Sequence, residues 1–343
     1  MTPENTNPNM ASPHFYENTR WRLLSTTGWN GLLILILVIV VSLGAVATGS
    51  FWAARNLQNI LWIWLSAALL VPSMSLIIAS GGLDLSVGSV AGLTAVVMAS
   101  LMASEKTGLG VALLIGLGLA FLVGLVNGVL IGMLKLNSVI VTLAMMTALK
   151  GIGYFISQTT IVVADTGFLS SPVLPGVVLV LLVIACIAAT ELKPGGSRNS
   201  SNPENKVSWI RRSLLLGLPY VLSATVAGFV GAVYLGRLQA ATLTIGSGLE
   251  FDVILITIFG GTPFGSGFIN LVGGGLAALV IASAQDITLL SGVSVFAITT
   301  VKGLTLLVFG PLCHAYYYIV DLAFRNTKKQ AAFKETKMDP EPD

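Results

Sequence analysis

The feature that most constrains this chain is a succession of apolar runs, each close to the roughly 20 residues that a helix needs to cross the hydrocarbon core of a bilayer. They lie at 29 to 49, 60 to 80, 87 to 104, 109 to 134, 138 to 157, 172 to 190, 213 to 235, 251 to 285, 292 to 310 and 312 to 324. In lipid every backbone N–H and C=O must find its partner within the protein, so runs of this length are read as helices. The last run is short and the eighth is long and interrupted by glycine, giving nine or ten crossings. With 55% hydrophobic and only 10% charged residues among 343, a soluble domain is excluded. The expected fold is all-α: a polytopic membrane helical bundle of about ten transmembrane helices with broken or re-entrant segments.

The net charge of +3 says little, but the positions of the cations orient the bundle. Lys193, Arg198, Lys206, Arg211 and Arg212 fall in one polar segment, and Arg325, Lys328, Lys329, Lys334 and Lys337 fall after the last run. The positive-inside rule makes both cytoplasmic. Arg20 and Arg22 place the N-terminal segment 1 to 28 on the same side, which needs an even number of crossings and favours ten. The stretches 158 to 171 and 286 to 291 hold no Lys or Arg, as outward loops should. No cleavage site follows the first run, so an uncleaved helix is expected rather than a signal peptide. The expected organisation is thus a cytoplasmic segment 1 to 28, a membrane domain 29 to 324 with a cytoplasmic loop 191 to 212, and a cytoplasmic tail 325 to 343. A bacterial inner membrane is the expected location, with lipid as its surroundings and no nucleic-acid partner.

Little in the chain suggests catalysis. His14 and His314 are isolated, and Cys186 and Cys313 have no CxxC or histidine partner at ligand spacing, so no metal site, no disulfide framework and no cofactor is expected. The glycine cluster "GGTPFGSG" at 260 to 267 lacks the lysine of a phosphate-binding loop.

What remains is a handful of polar groups in apolar runs. A charge at a helix centre costs roughly 2.5 to 3.5 kcal/mol on insertion scales, so such residues face a partner or a water-filled path. The group comprises Asp84, Lys150, Asp252, Asp286 and Lys302, with Glu250 at a boundary. Asp84 lies in "SGGLDLSVGS", where glycines stop a helix and Ser86 and Ser89 accompany its restart, so the carboxylate is expected to cap the restarted helix. Glu250 and Asp252, two apart, must point to different helix faces. Lys302 is expected to pair with Asp286 or Asp252, Lys150 to reach toward an interface, and Asn127 to bond a neighbouring helix. Candidates for the translocation path or its gate are therefore Asp84, Ser86, Ser89, Asn127, Glu250, Asp252 and Lys302.

Three patterns concern packing. Gly124, Gly128 and Gly132, and Ala224, Gly228 and Ala232, recur at helical spacing and predict close helix approach. Trp29, Phe51, Trp52, Trp62, Trp64, Trp209 and Tyr316 to Tyr318 are expected as interfacial anchors. "SGGLDLSVGSVAG" at 80 to 92 is echoed by "GSGLEFDVILITIFGG" at 246 to 261, and paired glycine-interrupted segments mark a transporter's gate.

"SGGLDLSVGS" closely resembles the signature of the ribose, xylose and arabinose type permeases, the membrane subunits of bacterial ABC importers for monosaccharides. Residues 127 to 157, 246 to 267 and 289 to 308 resemble further family segments in the same order, so the likeness runs from Phe51 to Val308. It implies a ten-helix protein that pairs with a second permease copy or a paralogous permease. It also implies two cytoplasmic ABC ATPase subunits as partners, with the solute delivered by a periplasmic binding protein. The permease itself would make no covalent change, ATP hydrolysis falling to the separate ATPase chain. One departure stands out: the family's loop before the seventh helix carries a glycine, asparagine and paired-alanine motif, whereas this chain reads "KPGGSRNSSNPENKVSWIRRS". Gly195 and Gly196 are its only echo, leaving Trp209, Arg211 and Arg212, or a second permease, to engage the ATPase. The alternatives are an ion-coupled secondary transporter relaying protons or sodium through Asp84, Asp286 and Lys302, or an ABC permease for a nucleoside, an amino acid or an autoinducer.

Overall fold

A computed structural model describes residues 19 to 104, 107 to 164, 166 to 191 and 206 to 338. Eleven α-helices dominate the described residues: α1 (Thr19–Ala47), α2 (Ala54–Ala68), α3 (Val71–Ala79), α4 (Val87–Ala103), α5 (Leu109–Gly128), α6 (Ser138–Ile156), α7 (Val173–Glu191), α8 (Lys206–Leu238), α9 (Leu249–Phe259), α10 (Leu271–Leu290) and α11 (Val295–Met338). A π-helical turn, Val129–Met133, extends α5. The only strands among the described residues are β1 (Ile161–Val162) and β2 (Ala240–Ala241), which pair antiparallel in the register Ile161 to Ala241. Seven helical stretches are long and apolar enough to span a bilayer, with α4 and α7 shorter apolar helices between them. The chain is an all-α, multi-pass membrane protein.

Two boundaries differ from those expected of the sequence. The run at 251 to 285 divides at its glycines into α9 and α10, with an irregular link from 260 to 270. The runs at 292 to 310 and 312 to 324, by contrast, form the single helix α11 with Pro311 inside it. Proline removes one amide and crowds one carbonyl, which kinks a helix without necessarily ending it. Gly195 and Gly196 lie outside the described residues, and Trp209, Arg211 and Arg212 fall in the first turns of α8.

Helices α4, α5 and α8 form one packed group, and α1, α2, α10 and α11 with α9 form another. The glycine stripe on α5 sets the closeness of the first. A methyl on Gly128 would sit 2.9 Å from the Gly217 carbonyl oxygen of α8, and one on Gly124 would sit 2.8 Å from the Val221 Cα. Backbone therefore meets backbone, as the small-residue spacing predicts. In the second group several of the aromatic residues expected as interfacial anchors pack inside the bundle. Trp29 is buried and donates its indole N–H to the Phe259 carbonyl at 2.9 Å, Trp64 donates to Gly275 at 3.0 Å, and Phe51, Trp62 and Tyr317 are buried as well. Trp52 remains exposed. The thiols of Cys186 and Cys313 are free and buried.

Candidate functional site

The first polar centre is where the bundle's helices stop and restart. At the end of α3, Gly81 takes φ +87°, its amide donates to Ile78 O at 3.0 Å, and the Gly82 amide donates to Ile77 O at 2.9 Å. This is a Schellman termination, which needs a residue without Cβ in the left-handed conformation. The end of α9 repeats it: Gly261 takes φ +88°, its amide donates to Ile258 O at 3.0 Å, and Thr262 donates to Thr257 O at 3.2 Å. The same termination closes α10, where Gly292 takes φ +70°, its amide donates to Leu289 O at 3.1 Å and the Val293 amide donates to Thr288 O at 3.1 Å. The turns at 77 to 82 and 257 to 262 share this geometry, and the second overlaps the end of the 246 to 261 segment that echoes 80 to 92.

The two joints also touch. Gly265 donates to Ile78 O at 2.9 Å and Gly267 to Ala79 O at 2.8 Å, so the link after α9 lies edge to edge with the end of α3. Each joint is wedged by an aromatic side chain from a neighbouring helix. Tyr220 of α8 fills the space beside Gly82, as Trp29 of α1 does beside Gly261. Asn270 caps α10, accepting from the Gly273 amide at 3.0 Å while its amide group donates to Asn30 of α1 at 2.8 Å and to Gly260 O at 2.9 Å. At the first joint the Leu83 amide donates to Ser138 Oγ, at the start of α6, at 3.2 Å.

Asp84 plays a different part from the helix cap expected. It is fully buried, and its Oδ1 accepts from the Ser86 amide at 2.9 Å and the Ser86 hydroxyl at 2.6 Å, just ahead of α4 rather than inside its first turn. Ser86 Oγ in turn accepts from Asn127 Nδ2 of α5 at 3.1 Å, the interhelical bond expected of Asn127. Ser89 is also buried, its hydroxyl without a partner.

The second centre lies toward the other ends of these helices. Glu250 and Asp252 do face apart: Glu250 is buried against Gly88 at the start of α4, whereas Asp252 meets Lys302 of α11 at 2.8 Å. The pairing of Lys302 is thus with Asp252, and Asp286 has another partner. Asn59 of α2 donates to Asp286 of α10 at 2.7 Å and accepts from Arg237 at the end of α8, so three helices are tied by one side-chain chain. Beside it opens a cavity of about 260 Å³ between α2, α8, α9 and α10. Asn59, Tyr234, Arg237, Asp252 and Gln285 supply its polar wall, and Ile63, Ile256, Ala278 and Ile281 are among its apolar lining. A wider cavity of about 630 Å³, with Ser50, Arg55 and Asn56 on its wall, adjoins it through the two residues they share, Asn59 and Arg237.

Of the two partners expected for Lys302 the structure selects Asp252, while sequence reasoning did not single out Arg237, Asn59, Tyr234 and Gln285. Arg237 falls at the end of an apolar run and Asn59 at the start of one, where polar residues attract no notice. Only the packing of α2 against α8 makes them neighbours. Gly195 and Gly196 remain outside the described residues.

Known proteins align with this arrangement over most of its length. Residues 56 to 190 match the family described as branched-chain amino acid transport system / permease component. The chain is similar to the ribose import permease protein of Bacillus subtilis (strain 168), at 30% identity over 80% of this chain and 88% of the relative. It is similar to the L-arabinose ABC transporter permease protein of Azospirillum brasilense, at 27% over 88% and 92% respectively. The galactofuranose transporter permease protein of Escherichia coli (strain K12) is 29% identical over 78% and 83%. No solved structure matches the chain.

Proposed function

This chain belongs to the branched-chain amino acid transport system permease family, and from that premise we propose that it is the membrane subunit of an ABC importer for a monosaccharide or sugar-like solute. The observation that carries the reading is similarity to permeases of sugar importers along most of the chain, covering both glycine joints. Physically, two backbone-paired joints make a barrier that can part as a unit. Hydrogen bonds such as Gly265 to Ile78 are few and can be remade, whereas the α5 and α8 glycine contact is a rigid seam.

In this reading the N-terminal segment, the 191 to 212 loop and the tail after 324 face the cytoplasm. ATPase subunits dock there, and a solute-binding protein delivers from the other side. A second permease copy or a paralogue completes the membrane unit. Asp84, Ser86, Ser89 and Asn127 hold the joint's shape, and Trp209, Arg211 and Arg212 stand where the ATPase would engage.

The test is uptake by whole cells expressing the chain with its ATPase and binding protein. Sugar uptake is expected to vanish when the ATPase's hydrolytic residue is changed and to survive collapse of the ion gradient while ATP is maintained. The opposite pattern would assign the chain to ion-coupled transport instead.

A further inference from the structure

Beside the first joint, Asp84 on the link before α4, Asn127 on α5 and Ser223 on α8 are each fully buried. Asp84 Oδ2, Asn127 Oδ1 and Ser223 Oγ nevertheless make no hydrogen bond. Buried polar atoms without partners are few in folded proteins, and each calls for a physical reason. We propose that these oxygens form a resident site for a monovalent alkali cation, which ties the start of α4 to α5 and α8. The site goes beyond the transport reading and does not depend on which solute the chain carries.

Packing gathers the three groups. Ser86 Oγ lies 2.6 Å from Asp84 Oδ1 and 3.1 Å from Asn127 Nδ2, so the carboxyl and the amide that own the free oxygens are both bonded to a single hydroxyl. Ser223 faces the same carboxyl from α8 without bonding to it. The seam between α5 and α8 holds Asn127 and Ser223 at this level of the bundle, because a methyl on Gly124, one turn before Asn127, would stand 2.9 Å from the Cβ of Ala224, the neighbour of Ser223. Three elements thus each contribute an oxygen to one dry cluster.

The kind of ligand follows from the balance of charge and hydrogen. A lone charge at membrane depth is costly, and among the described residues the ion pair is that of Lys302 with Asp252, with no Lys, Arg or His on Asp84. The Tyr220 phenol of α8 also faces Asp84 but brings no positive charge. Donors that are all oxygen suit hard cations. A single carboxylate balances a single positive charge, whereas a divalent ion would leave an excess in the membrane interior. A proton would supply the charge but only one hydrogen, serving Oδ2 and one acceptor. A water would supply hydrogens without charge. An alkali ion answers Oδ2, Oδ1 and Oγ together. Because every one of its ligands is buried, it is held as part of the fold and is not cargo.

The experiment follows thermal unfolding of the full chain in detergent, by fluorescence-detected gel filtration, in the chlorides of lithium, sodium, potassium or N-methylglucamine at equal ionic strength. An alkali ion is expected to raise the midpoint by several degrees over N-methylglucamine, and the increment should grow with the logarithm of its concentration, as for any ligand of the folded state. Asp84→Asn should abolish the increment. Ser223→Ala removes an oxygen that bonds no other protein atom, so the fold should keep its hydrogen bonds while severalfold more ion is needed for the same increment. Thr257→Ala, on α9, deletes another buried hydroxyl without a partner and should leave the increment unchanged. A midpoint indifferent to alkali ions, one that follows pH alone and so marks a proton on Asp84, or an increment that survives Asp84→Asn would each overturn the proposal. If Asp84→Asn yields no folded protein, Ser223→Ala decides, and an unchanged dependence on ion concentration there overturns it as well.

Discussion

At the scale of single residues, the buried polar groups are fixed by what they bond rather than by where the sequence puts them. Asp84 Oδ1 gathers the Ser86 amide and hydroxyl, and Ser86 passes the link to Asn127. Removing one partner of a buried bond leaves the other unpaired, at about 1 to 3 kcal/mol. Asp84→Ala is therefore expected to lower the thermal midpoint in detergent by several degrees. Asp84→Asn keeps an acceptor and should lose less, so equal loss in the two would show that the acceptor is not what matters. Gly128 makes a steric prediction of the same kind. Because any Cβ at this position would stand 2.9 Å from the Gly217 oxygen, Gly128→Val should reduce folded protein sharply. Gly118, with nothing within 4 Å, should accept Ala without loss, as fluorescence-detected gel filtration would register.

At the scale of elements, the ion pair between Asp252 and Lys302 clamps α9 to α11 with each side chain about one fifth exposed. In a half-dry site, breaking one partner strands a charge, whereas removing both does not. Lys302→Met alone should thus destabilise more than the double change Asp252→Asn with Lys302→Met, with a coupling on the order of 1 kcal/mol. A double-mutant cycle of detergent unfolding midpoints measures it, and strict additivity would deny the clamp. Aromatic rings serve as fasteners between elements as well. Trp29 packs beside Tyr316 with centroids 5.0 Å apart and bonds across to α9, a role invisible in a hydropathy profile that marks it only as a helix start.

At the scale of the whole molecule, the two joints lie against each other although Gly81 and Gly265 are far apart in sequence. A methyl on Gly81 would come within 3.7 Å of the Gly265 Cα, close enough for a disulfide between cysteines placed at both positions. If the barrier parts during transport, oxidising Gly81→Cys with Gly265→Cys should stop uptake and reduction should restore it. Uptake that continues through the oxidised chain would show that this contact stays closed throughout the cycle.

What could be read in advance divides along physical lines. Length and apolarity of each run determined that the chain is a multi-pass helical bundle, because lipid permits so few ways to satisfy a backbone. Glycine spacing determined that α5 would pack closely, and "SGGLDLSVGS" that a helix stops and restarts near Asp84. Those are local properties, written in consecutive residues. The continuity of α11 through Pro311, the inward turn of Trp29 and the Arg237, Asn59 and Asp286 chain were decided by tertiary structure alone. Each depends on which helix lies beside which, and a polar residue near the end of an apolar run carries no mark of its partner until the bundle brings the two together.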